Sequence, residues 1–123
     1  MGYTDTILIV DDSEMITKVL SFLIKKEGYS VHIAGDGAKA LELLDGRTID
    51  LVITDLHMPN MNGPVLINEI RKKKDYRYLP VVLFYPDIEK DRRETLKTSG
   101  ATMLFDKNNI KEKIIPTIQK MLA

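Results

Sequence analysis

Asp50-Leu51-Val52-Ile53-Thr54-Asp55-Leu56-His57-Met58-Pro59-Asn60-Met61-Asn62-Gly63 is the stretch whose reading decides the fold. Leu51-Val52-Ile53 is short, unbroken and partly β-branched, the pattern of a parallel strand buried on both faces. The run ends on a carboxylate, Asp55, and passes into Met58-Pro59 and Asn62-Gly63-Pro64, which signal a loop and a helix start. An acid at the end of a buried parallel strand lies at the carboxyl edge of the sheet, where open α/β sheets bind ligands.

Outward from that stretch the pattern repeats. Ile7-Leu8-Ile9-Val10 is a second buried strand and stops at Asp11-Asp12. Ser13 is placed to cap a helix by accepting a first-turn N–H, and Ile16, Val19, Leu20, Leu23 and Ile24 recur at helical spacing. Gly28 is the expected left-handed residue after that helix. Ser30 to Ala34 reads as a strand, and Gly35-Asp36-Gly37 as a turn. Ala38, Leu41 and Leu44 mark a short helix ending near Gly46. Pro64 suits the first turn of a third helix whose face is Val65, Leu66 and Ile70. Pro80 opens a strand through Phe84, where proline is tolerated.

Asp87 to Ser99 is polar, with Ile88 and Leu96 as its only core candidates, so a short or loosely held helix is expected there. Met103-Leu104-Phe105 is the fifth strand, ending at Asp106-Lys107. Asn108 or Asn109 then caps a last helix with Ile110, Ile114, Ile118 and Leu122 on one face. Pro116 inside it removes one backbone bond and crowds the Glu112 carbonyl, which predicts a kink. Strands alternating with helices imply one doubly wound α/β domain with a parallel sheet and helices on both faces.

Composition fits that reading. The chain has 123 residues, 44% hydrophobic, enough for one core and too few for two domains. Eighteen basic and 18 acidic residues give no net charge, which argues against a general nucleic-acid binder. Arg71-Lys72-Lys73-Lys74, the dense basic run, reads as a solvated helix end. There is no Cys, hence no disulfide or thiol chemistry, and no signal peptide or membrane-length apolar run. A cytoplasmic location, with no membrane contact, is expected.

In a parallel sheet Asp11, Asp12, Asp55 and Lys107 can converge on one edge. Three crowded carboxylates repel, and a divalent cation relieves that. Oxygen ligands with room for water suit Mg²⁺. A carboxylate beside such an ion is a known phosphoryl nucleophile, with Lys107 as a point charge on the phosphoryl oxygens. Taken singly, each Asp is as readily a turn or cap residue, and Lys107 a solvated lysine. It is the joint pattern that carries the chemistry.

Residues 7–12, residues 51–63 and Lys107 after Gly100-Ala101 closely resemble the receiver domain of two-component response regulators, over nearly the whole chain. The resemblance implies a flavodoxin-like (βα)5 domain over residues 1–123, strand order 2-1-3-4-5, without an output domain. Asp55 would be the phosphoacceptor, supplied by a histidine kinase or a histidine phosphotransfer protein. Asp12 would ligate Mg²⁺ directly and Asp11 through water, alongside Asp55 and the backbone carbonyl of His57. The His57 side chain is expected in solvent. Lys107 would bind the phosphoryl group, and a downstream protein would dock on helix four, strand five and helix five. No catalysis beyond the domain's own phosphorylation and dephosphorylation is implied.

The sequence departs from that pattern in one region. Receivers carry Ser or Thr at the end of strand four, and here it is Tyr85, followed by Pro86; residues 79–94 hold no Ser or Thr. The aromatic usually three residues before the lysine is Leu104, and the proline after the lysine is Asn108, which removes the reason for a cis peptide. A competing reading follows: a phosphorylation-independent interaction module that retains the acid pocket. A phosphatase of the haloacid dehalogenase type is disfavoured because it wants Asp where His57 stands. A nucleotide-binding role lacks a Gly-rich loop after strand one.

Overall fold

The computed structural model describes residues 5–86 and 93–123. Ile88, expected to face the core, lies outside them, as do residues 1–4 of the polar lead-in. The elements in order are β1 (Thr6–Val10), α1 (Glu14–Lys26), β2 (Ser30–Ala34), α2 (Gly37–Leu43), β3 (Leu51–Asp55) and α3 (Gly63–Lys72). They continue with β4 (Val81–Tyr85), α4 (Arg93–Leu96), β5 (Met103–Asp106) and α5 (Ile110–Leu122). The sheet is five-stranded in the order β2-β1-β3-β4-β5, with every pairing parallel.

Strand alternation divides the core in two. Leu8, Val10, Val52, Val81, Leu83 and Tyr85 pack with Ala40, Leu66, Ile67, Ile70 and Leu96 from α2, α3 and α4, and with Leu44 at the C-cap of α2. Ile7, Ile9, Leu51, Ile53, Val82 and Phe84 pack with Leu20, Ile24, Ile114 and Ile118 from α1 and α5. Both faces of β1, β3 and β4 are therefore covered, which is why those strands read as continuous apolar runs. The strand order reverses between β1 and β3, and that switch point is where the acids end up.

Helix starts follow the expected caps. Ser13 Oγ accepts from Ile16 N at 3.3 Å, Asp36 Oδ1 from Lys39 N at 2.8 Å and Asn62 Oδ1 from Val65 N at 2.9 Å. Gly28 (φ 97°) and Gly100 (φ 91°) take left-handed backbone at the ends of α1 and of the turn after α4. Asn109, not Asn108, is the N-cap of α5; it is itself left-handed (φ 58°) and makes no side-chain capping bond. Helical geometry continues through Pro116. Pro116 and Glu112 are both exposed, so the carbonyl that loses its helical donor is on the solvent side.

Three expectations need correction. Ala38 is exposed, because α2 turns Gly37, Ala40 and Leu44 inward, with Gly37 against the Met61 side chain. Val65 is 46% exposed, and the buried stripe of α3 is Leu66, Ile67 and Ile70. The close seat of Gly63 on Leu83 and the Asp55 carbonyl sets that rotation. Arg71 is not a solvated end: its guanidinium donates to the carbonyls of Arg77 (3.2 Å), Leu79 (2.5 Å) and Gly100 (2.9 Å). It clasps the turns that enter β4 and β5. Tyr76 Oη makes a similar clasp, accepting from Gly46 N at 2.8 Å and donating to the Arg47 carbonyl at 2.6 Å. Among the described residues no helix is long and apolar enough to cross a membrane.

Candidate functional site

β1 and β3 run side by side, pairing Val10 with Thr54, so the residues that follow them meet at one edge. Asp55, the last residue of β3, is 4% exposed, and Asp11, just after β1, is 2% exposed. Asp12 is exposed. Ligand oxygens of Asp11, Asp12 and Asp55 all lie within 4.8 Å of one another. The Lys107 ammonium, arriving from the end of β5, stands 3.1 Å from Asp55 Oδ1 and 3.6 Å from Asp11 Oδ2. The four residues singled out from the sequence thus come together.

Backbone contacts fix this geometry. Asp55 Oδ1 accepts from Leu56 N at 2.8 Å, and Leu56 N also reaches the Phe84 carbonyl at 3.0 Å. Lys107 N donates to the Tyr85 carbonyl at 2.8 Å, so the lysine is tied to the end of β4. The loop after β3 is folded back by Gly63 N donating to the Leu56 carbonyl at 2.8 Å. A Cβ on Gly63 would stand 2.5 Å from Leu83 Cδ1 and 2.7 Å from the Asp55 carbonyl oxygen, so only glycine fits there.

The electrostatics favour a cation. Asp11 Oδ1 accepts from Ser13 N at 2.9 Å, while Oδ2 is buried and lacks a hydrogen-bond partner among the described residues. Burial raises the Asp11 carboxyl above its ordinary value; the Ser13 N–H opposes this, the Asp55 charge adds to it, and Lys107 only partly offsets it. An orphaned carboxylate oxygen among three acids is a donor set for a hard, oxygen-seeking ion, and Mg²⁺ fits it. The His57 side chain is exposed, as expected.

The β4 end is unlike the acid pocket. Tyr85 is 2% exposed, turned to the α2–α3–α4 side of the sheet, and its hydroxyl accepts from an Arg93 guanidinium N–H at 3.0 Å. Leu104 packs against the same cluster. Pro86 follows Tyr85, partly buried. Nothing in the sequence announced the pairing of Tyr85 with Arg93, since seven residues without a distinguishing pattern lie between them.

A family profile described as the response regulator receiver domain matches residues 7–119. The chain belongs to that family. It is 33% identical over 95 residues to the CAI-1 autoinducer sensor kinase/phosphatase CqsS of Vibrio cholerae, a match covering 76% of this chain and 14% of that protein. With the sensor histidine kinase TmoS of Ectopseudomonas mendocina it shares 33% identity over 122 residues, 95% of this chain and 12% of that one. The chain therefore spans only a small part of these relatives. Among solved structures, the chemotaxis response regulator CheY4 of Vibrio cholerae superposes with a TM-score of 0.89 at 28% identity, covering 98% of this chain and 100% of that one. The response regulator TrrA of Thermotoga maritima, in complex with Mg²⁺ and BeF, gives 0.84 at 29% identity, covering 97% and 100%. The strand order and the five-helix arrangement match this fold.

Proposed function

We propose that Asp55 accepts a phosphoryl group from a phosphohistidine of a histidine kinase or histidine phosphotransfer protein in a two-component relay. A carboxylate oxygen of Asp55 forms a bond to phosphorus as the P–N bond to the donor imidazole breaks. The electron pair returns to the imidazole nitrogen, which takes up a proton. Asp11, Asp12, Asp55 and the His57 carbonyl would hold Mg²⁺, which when bound neutralises charge on the phosphoryl oxygens. Lys107 donates to a phosphoryl oxygen.

The observation that carries this reading is the placement of Lys107 Nζ, 3.1 Å from Asp55 Oδ1, beside a buried Asp11 oxygen that lacks a hydrogen-bond partner among the described residues. Similarity to sensor histidine kinases and to a regulator solved with Mg²⁺ and BeF supports it. The signal would pass to a downstream protein at the α4–β5–α5 face, where Arg93, Lys97, Ala101, Thr102 and Leu104 line a shallow groove. A cytoplasmic location goes with a kinase donor.

Incubation with Mg²⁺ and phosphoramidate tests the proposal by intact mass. One added phosphoryl group in the wild type, absent without Mg²⁺ and absent in Asp55→Asn, is expected. No adduct in the wild type, or one retained by Asp55→Asn, rejects Asp55 as the acceptor.

A further inference from the structure

Lys107 has a third neighbour. Its Nζ lies 5.2 Å from the centroid of the Phe84 ring, over the ring face. Phe84 is fully buried, and Phe105 packs beside it with centroids 5.9 Å apart and planes at 49°. The ring is part of the α1–α5 core and has no freedom to follow the lysine. Its backbone is built into both halves of the site. Phe84 pairs with Asp55 across β3 and β4, and the next carbonyl, that of Tyr85, takes the Lys107 N–H.

We propose that Phe84 is a positioning residue for Lys107. Resting on the assignment of Asp55 as acceptor, it holds the ammonium over the acceptor while the anions around it change. A lysine carries a compact charge on a flexible four-carbon stem, and its carboxylate partners here are Asp55 and Asp11. On arrival of a phosphoryl group the ammonium must turn donors from carboxylate to phosphoryl oxygens. The ring face attracts the cation without accepting any of its three N–H donors, leaving all of them for that exchange. A carboxylate or carbonyl in the same place would compete with the phosphoryl oxygens. A buried aromatic face does not.

Sequence alternation alone would have placed Phe84 on the α1–α5 face. What it could not supply is that the Lys107 ammonium comes to stand over that ring.

The test is site-specific replacement of Phe84 by mono-, di- and trifluorinated phenylalanine, with Phe84→Leu as a second variant. Fluorination drains the ring's negative face while keeping its shape. Two readouts are taken on the full chain: the side-chain resonances of Lys107 in lysine-labelled unphosphorylated protein, and the rate of phosphoryl capture from phosphoramidate with Mg²⁺. Stepwise movement of the Lys107 resonances with each fluorine is expected. The rate should fall by about two- to tenfold across the series, the range of one cation–π contact, with an unchanged melting temperature. Lys107 resonances and rates that stay at wild-type values in every fluorinated protein overturn the proposal. If the wild type captures no phosphoryl group, the assignment of Asp55 fails, and the Lys107 resonances alone still decide whether the ring holds the ammonium.

Discussion

Asp11→Asn should make the Mg²⁺-free protein more stable. Asp11 is 2% exposed, with Oδ2 lacking a hydrogen-bond partner among the described residues. Its acidic neighbours outweigh the lysine. At the 4.8 Å outer limit of the cluster and an effective dielectric of 20, Asp12 and Asp55 each repel it by about 3.5 kcal/mol, and Lys107 at 3.6 Å returns about 4.6 kcal/mol. Desolvation of the buried charge remains, and it dominates, since the carboxyl is raised even with Lys107 present. Asn keeps the bond from Ser13 N to Oδ1 and removes the charge.

A net gain of about 1–2 kcal/mol is expected, the scale of one unsatisfied buried polar group. For 123 residues the unfolding entropy is about 0.26 kcal/mol per degree, so the melting temperature should rise by about 4–8 °C. The sign has a pH signature. A carboxyl raised in the fold binds its proton more tightly when folded, so its penalty is present at neutral pH. The wild type should therefore gain stability as pH falls through the raised value, and the gain should be complete below 3.8, whereas Asp11→Asn should lack this gain. Saturating Mg²⁺ should reverse the order, since a ligand at a hundred times its Kd adds about 2.7 kcal/mol to the wild type alone. Calorimetry in EDTA and in Mg²⁺ reads both arms. A variant that melts below the wild type in EDTA refutes the argument.

Other substitutions probe the supports of the pocket. Tyr85→Thr deletes a buried ring and its bond from Arg93, and should cost about 3 kcal/mol in urea unfolding. Because it places a small hydroxyl at the end of β4, it should also enlarge the amide shifts that beryllofluoride produces in α4 and β5; unchanged shifts would show that the phenol does not insulate that face. Gly63→Ala forces a methyl against Leu83 and the Asp55 carbonyl, costing about 2–3 kcal/mol and slowing phosphoryl capture as β3 shifts. Ser13→Ala removes the α1 cap and should lower stability by about 1 kcal/mol, measured by denaturant midpoint, without touching the Asp55 carboxylate.

The fold was legible because local and global signals agree. The runs 7–10, 51–53 and 81–84 are buried on parallel strands, 103–105 is the half-buried edge strand, and Ser13, Asn62 and Gly28 act as the caps their types predict. The acid–lysine edge was legible because each of those residues closes a strand, and topology does the rest. What stayed hidden depends on rotation or on long-range reach. Val65 and Ala38 looked like face residues until the close packing of Gly63 and Gly37 set how α3 and α2 turn. Arg71 sat in a basic run that gave no sign of three carbonyls waiting for it. Phe84 read simply as core, and its role as a platform needs the path of Lys107 in three dimensions.

The clasps made by Arg71 and Tyr76 lie at the amino edge of the sheet, where the chain enters β3, β4 and β5. A five-residue strand rises about 16 Å, so these clasps stand well beyond the range at which substitutions interact with the acid edge. Hardening substitutions at the amino rim can therefore be combined with changes at the acid rim so that their effects add, and the stability lost at one rim is restored from the other.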